Sequence, residues 1–191
     1  MWPEPLDLSL GGTRLALRQN GGMPLFRRNR PDAATTDGLA EVLGHEPRVL
    51  GWGTGPWVRV VALGEGFAWQ VGQDPWRVVA WEQVRTGGWK QESSEMWWRL
   101  VDGSSEQLVL DEENTFPTVF RDRVQASIAF QKRIELSGGE AVVVAARRAP
   151  AATETNLIWD VMPLGGASLD DPAVRSEVDV ALAELKADYD I

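Results

Sequence analysis

Catalysis needs nucleophiles, bases, metal ligands or charges at fixed spacing, and this chain of 191 residues offers few of each. Its single histidine, His45, precedes Glu46 in "LGHEPRV", the pairing of a general base with an orienting carboxylate. No local signature supplies a nucleophile, and one imidazole is not a metal cluster, so the pair reads as an exposed turn. Cysteine is absent, which removes disulfides, thiolate zinc sites and cysteine nucleophiles together. "GWGTGP", Gly51 to Pro56, has the glycine density of a phosphate-binding loop. Pro56 takes the place of the third glycine, however, and strand-like residues follow where a helix N-terminus should hold the phosphate. The segment reads instead as a turn or bulge. Two carboxylate groups, Asp111–Glu113 and Asp170–Asp171, could serve glycoside hydrolysis or a divalent metal. Each has a structural use: the first precedes a helix N-terminus and the second caps the last helix. No catalytic residue, metal or cofactor is expected.

Binding chemistry is better represented. Tryptophan is the outlier of the composition, with ten residues, eight of them between Trp52 and Trp98. In "EMWWRL" two tryptophans are adjacent, and successive strand residues face opposite ways. Trp98 then shares the core face with Met96 and Leu100, while Trp97 faces outward with Arg99. Trp and Arg are enriched in interface hot spots, so Trp97, Arg99 and the similar pair Trp57 and Arg59 are the candidate binding residues. A cation–π contact from an arginine to Trp97 is feasible. The third candidate is the basic run "FRRNR", with Arg27, Arg28 and Arg30.

Charge narrows the partners. Residues 1–30 carry five arginines against Glu4 and Asp7, a balance of +3, so a chain of net −9 leaves −12 on the remainder. An acidic body disfavours nucleic acid and anionic membrane, both of which require phosphate neutralisation. No run of 18 apolar residues and no secretory signal pattern is present, which predicts a cytoplasmic protein with no integral membrane insertion.

The elements that must position these residues follow from periodicity. Residues 1–36 form a Gly/Pro-rich basic arm with one short edge strand, "RLALR". Ion pairs alone cannot order such an arm, so Leu15, Leu17, Leu25 and Phe26 are expected to anchor Arg14–Arg18 or Leu25–Arg28 on the outer tryptophan face or a neighbouring copy. "TDGLAEVLG" predicts a helix capped by Thr36 or Asp37 and stopped by Gly44. From Pro47 short runs ("RVLGWG", "WVRVVAL", "GFAWQV", "WRVVAWEQV", "GGWKQ", "EMWWRLV", "EQLVL") alternate with turns, predicting an antiparallel sandwich or barrel. Helical period returns in Phe116, Val119, Phe120, Val124 and Ile128, with Asn114 or Thr115 as cap and Pro117 in the first turn. A hairpin, "KRIELSGGEAVVVAARR", and a strand, "NLIWDVM", come next. Val174, Val178, Leu182 and Leu185 then line a final helix opened by Pro172.

Seven short strands and a capping amphipathic helix are the element order of a pleckstrin-homology-like domain. "RVLGWG…WVRVVAL…VVAWEQV", "RDRVQASIAFQKRIEL", "VVVAARRAP" and "LDDPAV" resemble segments of uncharacterised pleckstrin-homology-like proteins of high-GC Gram-positive bacteria, over roughly residues 41–180. The resemblance implies an α+β, pleckstrin-homology-like antiparallel β-sandwich or barrel over residues 37–165, capped by an amphipathic helix. Added strands fall within the same residues 37–165, and a C-terminal helix over 166–191 completes it. It implies no activity. In pleckstrin-homology domains that bind inositol phosphates, basic residues around the first loop make the contacts. Here that loop offers Thr54, Trp57 and Arg59 and no lysine, so phosphoinositide binding is not expected. The chain is thus expected to be a non-catalytic module that binds a protein partner or itself. The alternative is a carboxylate-dependent enzyme or small-ligand protein with a Trp-lined pocket, and a third class is a membrane adaptor using the arm.

Overall fold

The computed structural model describes residues 30–112, 114–150 and 156–189. Among these residues, three antiparallel sheets and three α-helices make a mixed α+β fold. β1 (Gly51–Gly55), β2 (Val58–Ala62), β3 (Gly66–Val71) and β4 (Arg77–Ala80) form a four-stranded meander. β5 (Val84–Lys90), β6 (Glu95–Leu100) and β7 (Ser105–Val109) form a second meander of three strands. The two meanders share one core, as the alternation predicts: Val58, Val60, Phe67 and Trp69 from the first meet Met96, Trp98 and Leu108 from the second. The arrangement is a sandwich and does not close into a barrel, because each meander remains a separate hydrogen-bonded sheet.

"WRVVAWEQV" is not one strand. It breaks at a single 3₁₀ turn, Trp81–Gln83, that carries the chain from one sheet to the other. The Trp81 backbone N–H donates to the Glu65 carbonyl at 3.2 Å. Its indole N–H donates to the Leu63 carbonyl at 3.1 Å, so the buried ring turns the chain inward.

α2 (Phe116–Ser127) sends Phe116 and Phe120 into the shared core, and Val119 and Val124 pack beside them. Phe67 is the hub, with five rings at centroid distances of 5.1–5.7 Å: Trp69, Trp81, Trp98, Phe116 and Phe120. Ile128 belongs to the following strand rather than to the helical stripe.

α1 (Ala33–Leu43) starts earlier than the sequence predicts. Asp32 is its cap, accepting from the Thr35 N–H at 2.8 Å, in place of Thr36 or Asp37. Gly44 ends it in the left-handed conformation, as expected. Leu39 packs on Val61, Leu63 and Ala68, with Trp52 and Trp76 alongside, so α1 covers the outer face of the first meander. The expected strand at Arg14–Arg18 and the anchors Leu15, Leu17, Leu25 and Phe26 lie outside the described residues.

The C-terminal elements form their own layer. β8 (Ile128–Glu135), β9 (Ala141–Arg147) and β10 (Ile158–Leu164) pair in the order β10-β9-β8. α3 (Pro172–Tyr189) lies on one face through Val174, Val178, Leu182 and Leu185. The Asp171 carboxylate accepts from the Ala173 N–H at 2.8 Å at its start. Every residue of β9 is buried, because its second face turns toward the sandwich. Among the described residues no helix is long and apolar enough to cross a membrane.

Candidate functional site

β1 and β2 are joined by only two residues, Pro56 and Trp57, since Gly55 pairs with Val58. Proline fixes a negative φ at the first turn position, and Trp57 has φ +67° at the second. That sequence of angles is a type II turn, whose second position favours glycine or asparagine. A bulky residue in the left-handed region costs about 1–2 kcal/mol. The Trp57 side chain recovers little of that by burial, for it is 83% exposed. The backbone is held in place: the Gly72 N–H donates to the Trp57 carbonyl at 2.6 Å.

The same end of the sandwich carries the β3–β4 and β5–β6 turns. Ser94 of the latter accepts from the Leu110 N–H at 2.9 Å, and Leu110 lies against Gly55. Two more apolar side chains are open here, Val71 at 42% and Val109 at 48% exposure, at the ends of β3 and β7. Asp74 of the β3–β4 turn, Glu92 of the β5–β6 turn and Glu112, three residues past Val109, are all exposed. Neighbouring carboxylates are already committed within the fold. Asp111 accepts from the Thr54 hydroxyl at 2.7 Å, Glu106 pairs with Arg77 at 2.8 Å, and Glu95 pairs with Lys90 at 3.1 Å. The Lys90 and Ser93 hydrogen bonds hold Glu95 below the usual carboxylate range.

Of "GWGTGP", Gly51–Gly55 are a strand, and only Pro56 belongs to the turn. Gly51, Gly53 and Gly55 alternate along β1 on the side where the β7–α2 segment crosses. A Cβ on Gly55 would run into the Val109 carbonyl oxygen, and one on Gly51 would stand 2.7 Å from a Val119 methyl. That close approach lets the Asp111 and Thr115 N–H groups donate to the Thr54 and Trp52 carbonyls at 2.6 and 3.0 Å, which satisfies the free edge of β1. Asp111 therefore serves β1 rather than the helix terminus.

The candidate residues do not form one site. Arg59 is exposed on the outer face of β2, opposite Thr54 and Gln70 and close enough to Asp32 to help depress its pKa after the two Thr35 hydrogen bonds. Trp97 and Arg99 face outward from the other meander, across the core from Arg59. Trp97 is half-buried: its indole lies over its cross-strand neighbour Gly88, with Nε1 3.4 Å from where a Cβ would stand. No cation–π contact to Trp97 occurs among the described residues; the one present sets Arg77 6.0 Å from the Trp69 ring. Arg30 is exposed just before α1, and Arg27 and Arg28 lie outside the described residues. His45 is exposed, with Nδ1 3.1 Å from the Glu46 carbonyl and Nε2 3.9 Å from the exposed Glu65 carboxylate.

Sequence reasoning missed a buried charge network. Asp160 of β10 takes a two-point contact from Arg85 of β5, with Nε–Oδ2 2.8 Å and Nη2–Oδ1 2.6 Å. Arg147 is 3% exposed, and it donates to the Arg85 carbonyl at 2.8 Å and to the Ser127 hydroxyl at 3.2 Å. Its burial lowers the guanidinium pKa, an effect that Asp160 opposes and Arg85 reinforces. The signal was a lone aspartate inside the apolar run "NLIWDVM". The network fastens the C-terminal layer to the sandwich. A shallow groove of about 340 Å³ lies between the β8–β9 hairpin and α3, lined by residues such as Leu136, Val180, Glu135, Glu177 and Glu184. No tryptophan lines it. No group of three His, Asp or Glu side chains able to hold a metal occurs among the described residues. Compared with family models, curated proteins and solved structures, the chain matches none.

Proposed function

We infer that this protein is a non-catalytic, cytoplasmic binding module that engages a protein partner through the loop end around Trp57. The observation behind the reading is the conformational cost at Trp57. A residue that strains the backbone and leaves its indole 83% exposed contributes nothing to stability that glycine would not. Exposed apolar side chains on a folded surface mark interaction sites when they cluster, and Val71 and Val109 extend the patch. The same reading takes the domain as pleckstrin-homology-like and akin to the proteins of high-GC Gram-positive bacteria that its motifs resemble. The four-strand and three-strand meanders followed directly by α2 support that kinship.

Site-specific photo-crosslinking in the native host tests the binding claim. With benzoylphenylalanine at position 57, irradiation should give a discrete adduct with one protein. The same group at position 180, an exposed site on α3, should not. Absence of an adduct at 57, or identical adducts from both positions, would contradict the reading.

A further inference from the structure

We propose that the loop end binds an extended peptide segment of a partner protein in which arginine stands beside an apolar residue, with the guanidinium stacked on Trp57. The proposal rests on the binding-module reading and adds the chemistry of the partner. Three features of this end agree on it. The Trp57 indole has no hydrogen bond and no ring neighbour among the described residues, so its face is free to accept a cation. Val71 and Val109 expose apolar surface beside it, enough for one or two aliphatic side chains. Asp74, Glu92 and Glu112 make no side-chain hydrogen bond or ion pair among the described residues, whereas Asp111, Glu106 and Glu95 around them are all engaged.

The cation must be arginine rather than lysine. A planar guanidinium stacks on an indole while its edge donates two parallel hydrogen bonds to a carboxylate, which an ammonium cannot do. Arg59 points to the outer face and is balanced by Asp32, so the rim keeps a negative excess. Phosphate-rich partners are repelled by the same carboxylates, which separates this surface from a nucleic-acid or anionic-lipid site.

The test uses the full-length protein and a fluorescein-labelled octapeptide, GSLFRRGS, followed by anisotropy at low and physiological salt. Saturable binding is expected, weakening as salt rises. The GSLFKKGS peptide should bind about tenfold more weakly, and Trp57→Gly should weaken the arginine peptide by at least about tenfold. Glu92→Gln combined with Glu112→Gln should flatten the salt dependence without changing the fold seen by circular dichroism. Equal binding of the two peptides, binding that Trp57→Gly leaves intact, or preference for phosphatidylglycerol vesicles over the peptide would overturn the proposal. So would no peptide binding at all. If the position-57 crosslink to a protein survived that result, the binding surface would stand and only the arginine chemistry would fall.

Discussion

Adjacent residues of one strand can have unrelated energetic roles, and Trp97 and Trp98 show it. Trp98 is wholly buried, edge-on to Phe67 and Trp69 at 5.1 Å each, while Trp97 covers the backbone of its neighbouring strand. Trp98→Ala should cost about 3–5 kcal/mol through the cavity it leaves. Trp97→Ala removes only half-buried surface and should cost clearly less. Urea titration of the two variants checks the order, and the reverse order would mean that the strand faces have been misassigned. The alternation of "EMWWRL" was enough to read this from the chain, because a period of two leaves each residue one choice of side. Trp57 was legible as a candidate but not as a strained one. Its φ depends on a two-residue turn, and that turn could not be located while "GTGP" looked like the loop.

At the scale of elements, β1 depends on close approach and the C-terminal layer depends on charge. Gly55→Ala would force β1 away from the Val109 carbonyl, at about 1–3 kcal/mol for an overpacked backbone contact. Gly64→Ala, with nothing within 4 Å, is the control and should be near neutral by thermal melting. Asp160→Asn would leave the buried Arg147 and the half-buried Arg85 without their counter-charge, a loss of about 3–5 kcal/mol in denaturant titration. The strands of the two meanders, α2 and α3 could be read from periodicity and caps. The break at Trp81 could not, since its cause is a pair of long-range hydrogen bonds to Glu65 and Leu63. Nor could the choice of sandwich over barrel, which depends on edge pairing. The start of α1 was ambiguous because Asp32, Thr36 and Asp37 can all accept at a helix N-terminus, and the structure selects Asp32. The alternating glycines of β1 and the Arg85–Asp160 contact join residues far apart in the chain, so local pattern gave each only as an oddity.

For the molecule as a whole, acid should destabilise. Asp32, Glu95 and Asp102 are all held below their ordinary values, 3.8 for aspartate and 4.5 for glutamate, by hydrogen bonds from Thr35, from Lys90 and Ser93, and from Ser104. A carboxylate with a depressed folded pKa contributes stability that is present above the unfolded value and is lost as pH falls through the folded one. These three contributions should therefore be intact from neutral pH to about pH 5 and fade below about pH 4. Denaturant midpoints measured across pH 3–7 would show it, and rising stability below pH 4 would contradict it. The net charge of −9 bears on partners rather than on fold, and with Trp57 the most exposed aromatic among the described residues it underlies the proposal of a cationic partner. Trp57 is proposed to serve an external partner and not the fold. Paired measurement on Trp57→Gly, folding stability beside recovery of the protein crosslinked at position 57, tests that most directly. The account predicts unchanged stability, or a gain of up to about 1 kcal/mol from relief of the left-handed strain, together with loss of the partner. A variant that loses more than about 1 kcal/mol of stability yet retains its partner would place Trp57 in the fold and contradict the account.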